Sequence, residues 1–237
     1  MADVDGLLED VVTANHILAN EQVCDALGHV SVRHPDRPDR FFLSCSRSPE
    51  LVSRADIMEF DLDCNPIDQQ GRPMYFERPI HGAVYQERAD VMAVVHSHAY
   101  DVIPFTLTKV KLRCCIHPAC ALGTGVPVWD IRSRFGDTDM LVSNLEQGRD
   151  LARALGSGQV ALMRGHGSVV AAPNLKQAIV TAIYLKVNAR VQSEAMRMGE
   201  VEFLTEGEVA RTAERANSDN ALTRMWDYWA RRVQRRS

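Results

Sequence analysis

Two histidines one residue apart close the run Val94-Val95-His96-Ser97-His98, and a third, His166, sits in Arg164-Gly165-His166-Gly167. The density of β-branched residues over 91–95 predicts a buried strand. On a strand, side chains two apart project to one face, so His96 and His98 point together. Two imidazoles side by side at a strand end make a metal clip. A third completes a set that binds a divalent ion and keeps one coordination position open for substrate, the pattern of a catalytic rather than a structural site. Imidazole nitrogens suit Zn²⁺ and, with oxygen donors nearby, Mn²⁺, Fe²⁺ or Co²⁺, and one ion per chain is expected. The glycines flanking His166 are expected to permit an unusual backbone and to leave room for a ligand.

Glu77 is the next candidate, in Tyr75-Phe76-Glu77-Arg78-Pro79-Ile80-His81. It precedes a predicted helix, where a carboxylate favours the positive end of the helix dipole. Beside a metal, the same carboxylate can shuttle a proton or serve as a further ligand. The segment Ser44-Cys45-Ser46-Arg47-Ser48-Pro49 is rich in hydrogen-bond donors and reads equally as a plain turn or as an anion-binding loop.

The elements that must position these groups follow from periodicity and punctuation. Apolar residues at helical spacing predict an amphipathic helix over about 5–25, ending near Gly28. Strands are expected over 29–33, from 41 to 43 and over 57–62, separated by Pro- and Gly-containing turns. A helix is expected over 79–88, with Pro79 in its first turn. A second is expected over 99–107, with Pro104 disturbing its middle. Short strands are expected at 112–115 and 126–128, then a helix over 145–155 closed by Gly156. Strands at 160–163 and 168–172 flank the His166 tip, and long helices follow over 175–198 and from about 206 to 232. No linker, repeat or low-complexity tract divides the chain, so a single domain over 1–237 with a C-terminal helical extension from about 206 is expected.

Composition narrows the partners. Apolar residues make up 46 % of the chain, enough for a sizeable core, and the net charge of −4 gives no reason to expect nucleic acid. Arg231, Arg232, Arg235 and Arg236 fit cations near a helix C-terminus. No apolar run reaches the ~18 residues of a membrane span. The start of the chain has acidic residues and no basic region of a signal peptide. The six cysteines include no Cys-x-x-Cys pair and are expected as reduced, mostly buried thiols of a cytoplasmic protein.

The order Gly-x-Val-Ser-Val-Arg, Glu-x-x-x-His, apolar strand, His-x-His and Gly-His-Gly, over roughly residues 5–200, resembles the class II aldolase/adducin family. The resemblance implies a three-layer αβα (α/β) fold with a central, mostly antiparallel sheet flanked by helices. It implies that the three histidines bind a divalent metal, with Glu77, four residues before His81, as catalytic acid or base. It also implies a homotetramer with active sites at subunit boundaries.

Departures from the phosphosugar pattern shape the functional expectation. Gly-Asn-Val-Ser of the phosphate-binding members is here Gly28-His29-Val30-Ser31, and their Ser-Ser is Tyr75-Phe76. Losing small hydroxyls and gaining rings disfavours a phosphate clamp and suits a planar substrate. Ser46, Arg47 and Arg78 are candidate contacts to its polar groups, since a guanidinium fork meets a carboxylate bidentately. Where the aldolases carry a tyrosine proton donor, this chain reads Cys115-Ile116-His117-Pro118, which makes His117 either a general acid or a structural histidine. The pattern resembles a decarboxylase branch acting on hydroxy-aromatic dicarboxylates, such as dihydroxyphthalate-like or hydroxypyridine-dicarboxylate compounds. Two alternatives stand beside it: an aldolase or epimerase of an unphosphorylated hydroxy acid or sugar-like substrate, and a non-catalytic adducin-like assembly module.

Overall fold

The computed structural model describes residues 3–234; Arg235 and Arg236 lie outside them. In chain order the helices and strands are α1 (Val4–Asn20), β1 (His29–Arg33), β2 (Arg40–Ser44), β3 (Ile57–Asp61), α2 (Arg78–Glu87), β4 (Ala93–Ser97), α3 (Pro104–Leu107), β5 (Val128–Trp129), α4 (Arg132–Phe135), α5 (Leu145–Leu155), β6 (Val160–Met163), β7 (Gly167–Ala172), α6 (Leu175–Met198), α7 (Glu206–Ala216) and α8 (Asp219–Gln234). Among the described residues the strands form one seven-stranded sheet in the order β3-β2-β1-β4-β7-β6-β5. Every pairing is antiparallel except β5 with β6. The expected three-layer α/β architecture with a mostly antiparallel sheet is what the chain adopts.

The period-2 alternation of the strands sorts their side chains onto two apolar layers. Val30, Val32, Val95, Leu162 and Val170 pack with Leu8, Val11, Ile179 and Ile183 of α1 and α6, joined by Trp226 and Trp229 of α8. Phe41, Val94, Ala161, Met163 and Val169 pack on the other face with Ile80, Val84, Tyr85 and Leu151 of α2 and α5. In β1 the alternation would ordinarily mark a solvent face. Here all five residues are buried, and the polar set His29, Ser31 and Arg33 lies beneath α2.

Several expected elements differ in detail. α1 ends at Asn20 rather than near 25, because Gln22 takes a φ of 56° and the N–H groups of Val23 and Cys24 fold back onto the Leu18 carbonyl. The helix expected over 99–107 shrinks to α3: Pro104 starts a helix rather than continuing one. Residues 112–115 join no strand. The helix α6 pairs their backbone instead, through Asn188 to Cys115 N–H and Arg113 C=O and through Gln192 to Arg113 N–H. The C-terminal region is two helices, with α7 held by a Thr205–Glu208 capping box and ending at Asn217. The six cysteines are free thiols, of which only Cys115 is not fully buried. No helix of the described residues is long and apolar enough to cross a membrane.

Candidate metal centre and substrate cavity

The His-x-His pair arises where β4 runs out. His96 is the penultimate strand residue and His98 follows just beyond it, both projecting towards the α2 face with Val94. β7 pairs with β4 in the register Ser97↔Ser168, which brings the turn between β6 and β7, with His166 in it, alongside. The two glycines of that turn do different work. Gly165 has a φ of +63°, a left-handed conformation that suits glycine. A Cβ on Gly167 would lie 2.1 Å from the Ser97 carbonyl oxygen. Gly167 therefore lets two backbones approach, rather than leaving room for a ligand as expected.

The three rings converge. Nε2 of His98 lies 3.0 Å from Nε2 of His96 and 2.9 Å from Nε2 of His166. Nδ1 of His96 faces the Ser168 carbonyl at 3.1 Å, and Nδ1 of His166 faces the Met140 carbonyl at 3.1 Å. A carbonyl accepts only, so both Nδ1 atoms carry the proton and both Nε2 atoms present lone pairs inwards. Lone pairs held this close repel one another unless a proton or cation stands between them. Glu77, the N-cap residue of α2, completes the set, with Oε2 3.3 Å from His96 and 3.4 Å from His166. Its other oxygen accepts the Val142 N–H at 3.1 Å. The four ligand atoms lie within 4.8 Å of one another. Three imidazole nitrogens and one carboxylate oxygen are a donor set for Zn²⁺ or a neighbouring divalent transition metal.

Electrostatics follow from this crowding. Burial alone would raise the Glu77 pKa, but positive charge placed between the carboxylate and the Nε2 atoms of His96 and His166 outweighs it and holds the carboxyl well below its ordinary value. Burial, then the neighbouring His96 and His166, pushes His98 down to about 4. Both shifts favour an ionised Glu77 and a neutral His98, the forms a metal ligand needs.

Beside the cluster opens a cavity of about 340 Å³, lined among others by His29, Ser46, Arg47, Tyr75, Phe76 and Leu141, with Glu77 and His98 at its metal end. Tyr75 pins one wall: its hydroxyl donates to the Arg47 carbonyl and receives the Arg47 N–H at 3.3 Å. Phe76 is 74 % exposed and offers an open ring to the cavity. The Arg47 guanidinium contacts the Leu51 carbonyl and Asp56.

Two of the residues singled out from sequence lie elsewhere. Arg78 does not line this cavity: its guanidinium donates to the carbonyls of Cys64 and Tyr75 and braces the loop entering α2. His117 is exposed at the start of the 3₁₀ turn His117–Leu122 and is not among the residues that line this cavity. Residues that sequence reasoning missed include Met140, Leu141 and Val142, from an aperiodic segment with no chemical signature. Another is the Tyr85 hydroxyl, hidden in what reads as an ordinary amphipathic helix.

Residues 9–193 match the model of the class II aldolase and adducin N-terminal domain. The chain belongs to this family. Class II aldolases use a divalent metal, and the cluster described above could hold one. The chain is 34 % identical to decarboxylase tropJ of Talaromyces stipitatus, over 94 % of this chain and 92 % of that protein. It is 28 % identical to the 3,4-dihydroxyphthalate decarboxylase of Arthrobacter keyseri, over 92 % and 90 % respectively. The fold matches that of L-fuculose 1-phosphate aldolase from Glaciozyma antarctica with a TM-score of 0.81 at 21 % identity, covering 99 % of this chain and 92 % of that one.

Proposed function

We propose that this protein is a divalent-metal-dependent carboxy-lyase that removes CO₂ from a hydroxy-aromatic carboxylate or dicarboxylate in aromatic catabolism. The observation that carries the reading is the cavity itself. Glu77 and His98, members of the cluster of three histidines and one carboxylate, stand at its metal end, His29 packs beside His96 next to them, and the rings of Tyr75 and Phe76 line the rest. The decarboxylase names of the similar proteins support the same reaction class. His96, His98 and His166 are the proposed metal ligands, with Zn²⁺ or Mn²⁺ as the preferred ion. When bound, it supplies Lewis-acid stabilisation of negative charge on substrate oxygen.

The chain's own residues do the rest. Tyr75 and Phe76 sandwich or flank the ring and fix its plane. Ser46 and Arg47 face the cavity from the loop that Tyr75 anchors, where a second carboxylate finds a hydroxyl and a cation. Glu77 is the acid/base group: its carboxylate takes the proton of the substrate hydroxyl and returns it to the ring carbon bearing the departing carboxylate. The C–C bond then breaks, its electron pair returns to the ring as the proton stays, and CO₂ leaves. Positioned proton transfer of this kind contributes about 10²–10⁴-fold. Because His117 lies outside the cavity of its own chain, Glu77 is the acid in this scheme.

Ser46 and Ser48 leave hydroxyls at the cavity wall, which favours a second reading: aldol cleavage or epimerisation of an unphosphorylated hydroxy acid. The deciding experiment assays CO₂ release from ortho-hydroxy aromatic mono- and dicarboxylates beside aldehyde release from hydroxy-acid aldols. CO₂ release is expected; aldehyde alone would overturn the first reading. We further propose a cytoplasmic homotetramer. The exposed apolar residues Val187, Val191 and Met198 along α6 support self-association, which sedimentation analysis tests.

A further inference from the structure

His29 is 3 % exposed, and its Nδ1 lies 2.6 Å from Nε2 of His81. Nδ1 of His81 lies 2.6 Å from Oγ of Ser31, and that oxygen lies 2.7 Å from the hydroxyl of Tyr85. The last three side chains are at most 1 % exposed. Each link holds one proton, so the chain of bonds has two self-consistent directions. In one, Tyr85 donates to Ser31, Ser31 donates to His81, and the Nε2–H of His81 donates to His29, whose own proton then sits on Nε2. In the other, His29 donates from Nδ1, every bond reverses, and the Tyr85 O–H at the far end needs another acceptor. None is present among the described residues. Buried hydroxyls keep their protons paired, and the first direction alone does so. His29 Nε2 makes no hydrogen bond to the described residues, while His29 lines the cavity.

We infer that Tyr85, Ser31 and His81 are positioning residues that lock His29 in its Nε2–H tautomer, so that a neutral imidazole offers a hydrogen-bond donor to an anionic oxygen of the substrate. The identity of that oxygen, a carboxylate or phenolate, rests on the decarboxylase reading above. The locked donor makes His29 a specificity element: it rewards an oxygen that only accepts, and it cannot serve as a base from the cavity side.

Histidine-labelled, Zn²⁺-loaded full-length protein tests this by long-range ¹H–¹⁵N correlation, with His29 assigned by its loss in His29→Gln. The expected spectrum has a protonated Nε2 and an unprotonated Nδ1 for His29, giving way to mixed tautomers in Tyr85→Phe and Ser31→Ala. A proton on Nδ1 of His29 in the unaltered protein would overturn the inference, and so would an unchanged tautomer in both variants. In calorimetry with 2-hydroxybenzoate as the probe, His29→Phe is expected to weaken binding by about 10- to 100-fold, the value of a hydrogen bond to a charged group. His29→Gln, whose amide keeps an N–H, is expected to recover most of it. Equal binding by His29→Phe and the unaltered protein would remove the donor role. Failure of CO₂ release with the tautomer and binding results intact would count against the decarboxylase reading alone.

Discussion

One carboxylate oxygen of Glu77 lies 3.3 Å from Nε2 of His96, while the other accepts the backbone N–H of Val142 at 3.1 Å. Two residues distant in sequence thus meet where α2 begins and β4 ends, and the carboxylate is fixed from a third segment. A group held this way is a poor candidate for a merely dipole-stabilising helix cap, since its side chain makes no capping bond at all. The carboxylate thus stands between the histidine cluster and the cavity.

Replacing Glu77 by Gln keeps the shape and the contact to Val142 but removes the carboxylate proposed to take up and return the proton. The turnover rate on the substrate that releases CO₂ is expected to fall by about 10²–10⁴-fold, with divalent metal content largely retained. Loss of activity in strict proportion to lost metal would show that Glu77 acts as a ligand instead.

Removing an imidazole from the cluster tests the ligand set. His96→Ala and His98→Ala are expected to lose the roughly one divalent ion per chain measured in the parent by elemental analysis, and activity with it. Chelation of the parent is expected to lower its thermal midpoint, because an ion that binds only the folded state stabilises it by mass action. A parent protein that is metal-free as isolated and indifferent to added Zn²⁺ or Mn²⁺ would remove the enzyme reading.

The buried histidines also predict acid sensitivity. Burial, and then the nearby His96, push the His81 pKa from 6.5 down to about 3. Between those values the unfolded chain binds a proton at His81 that the folded protein refuses, so stability rises with pH across this window. It is fully present above about 6.5 and is lost progressively as pH falls. The slope from this group approaches ~1.4 kcal/mol per pH unit. Urea midpoints measured with a chelator present are expected to decline from pH 6.5 towards 4, and less steeply in His81→Asn.

The segment before His117 is held by two side chains of α6, Asn188 and Gln192. Asn188 is fully buried and bonds both Cys115 N–H and Arg113 C=O. Asn188→Ala leaves those partly buried backbone groups without their partners, at a cost of about 1–3 kcal/mol. Chemical denaturation measures it. A loss below about 0.5 kcal/mol, the level of an ordinary surface change, would show that water replaces the amide.

Much of the chemistry was legible in the residues alone. His-x-His after an apolar run carries its own geometry, because the strand period of two puts both imidazoles on one face whatever else the chain does. Gly-His-Gly and Glu77 stood out by type, and the central strands and the α2, α5 and α6 helices by period. What failed were elements whose partners lie far away in sequence. Residues 112–115 have strand-like composition, yet their backbone is satisfied by α6 side chains. The strand expected over 29–33 forms as β1, and only the packing of α2 buries its polar face.

The sequence by itself determined which residues could bind a metal and move a proton, since ligand chemistry and local periodicity are properties of residue type and spacing. Only the tertiary structure decided that the rings converge to 2.9–3.0 Å with Glu77 beside them. It alone turned Arg78 onto backbone carbonyls and His117 out of the cavity. It also joined His29 to Tyr85 through two intervening side chains. These outcomes depend on sheet register and on which helix covers which face, and such long-range packing leaves no periodic mark in the chain.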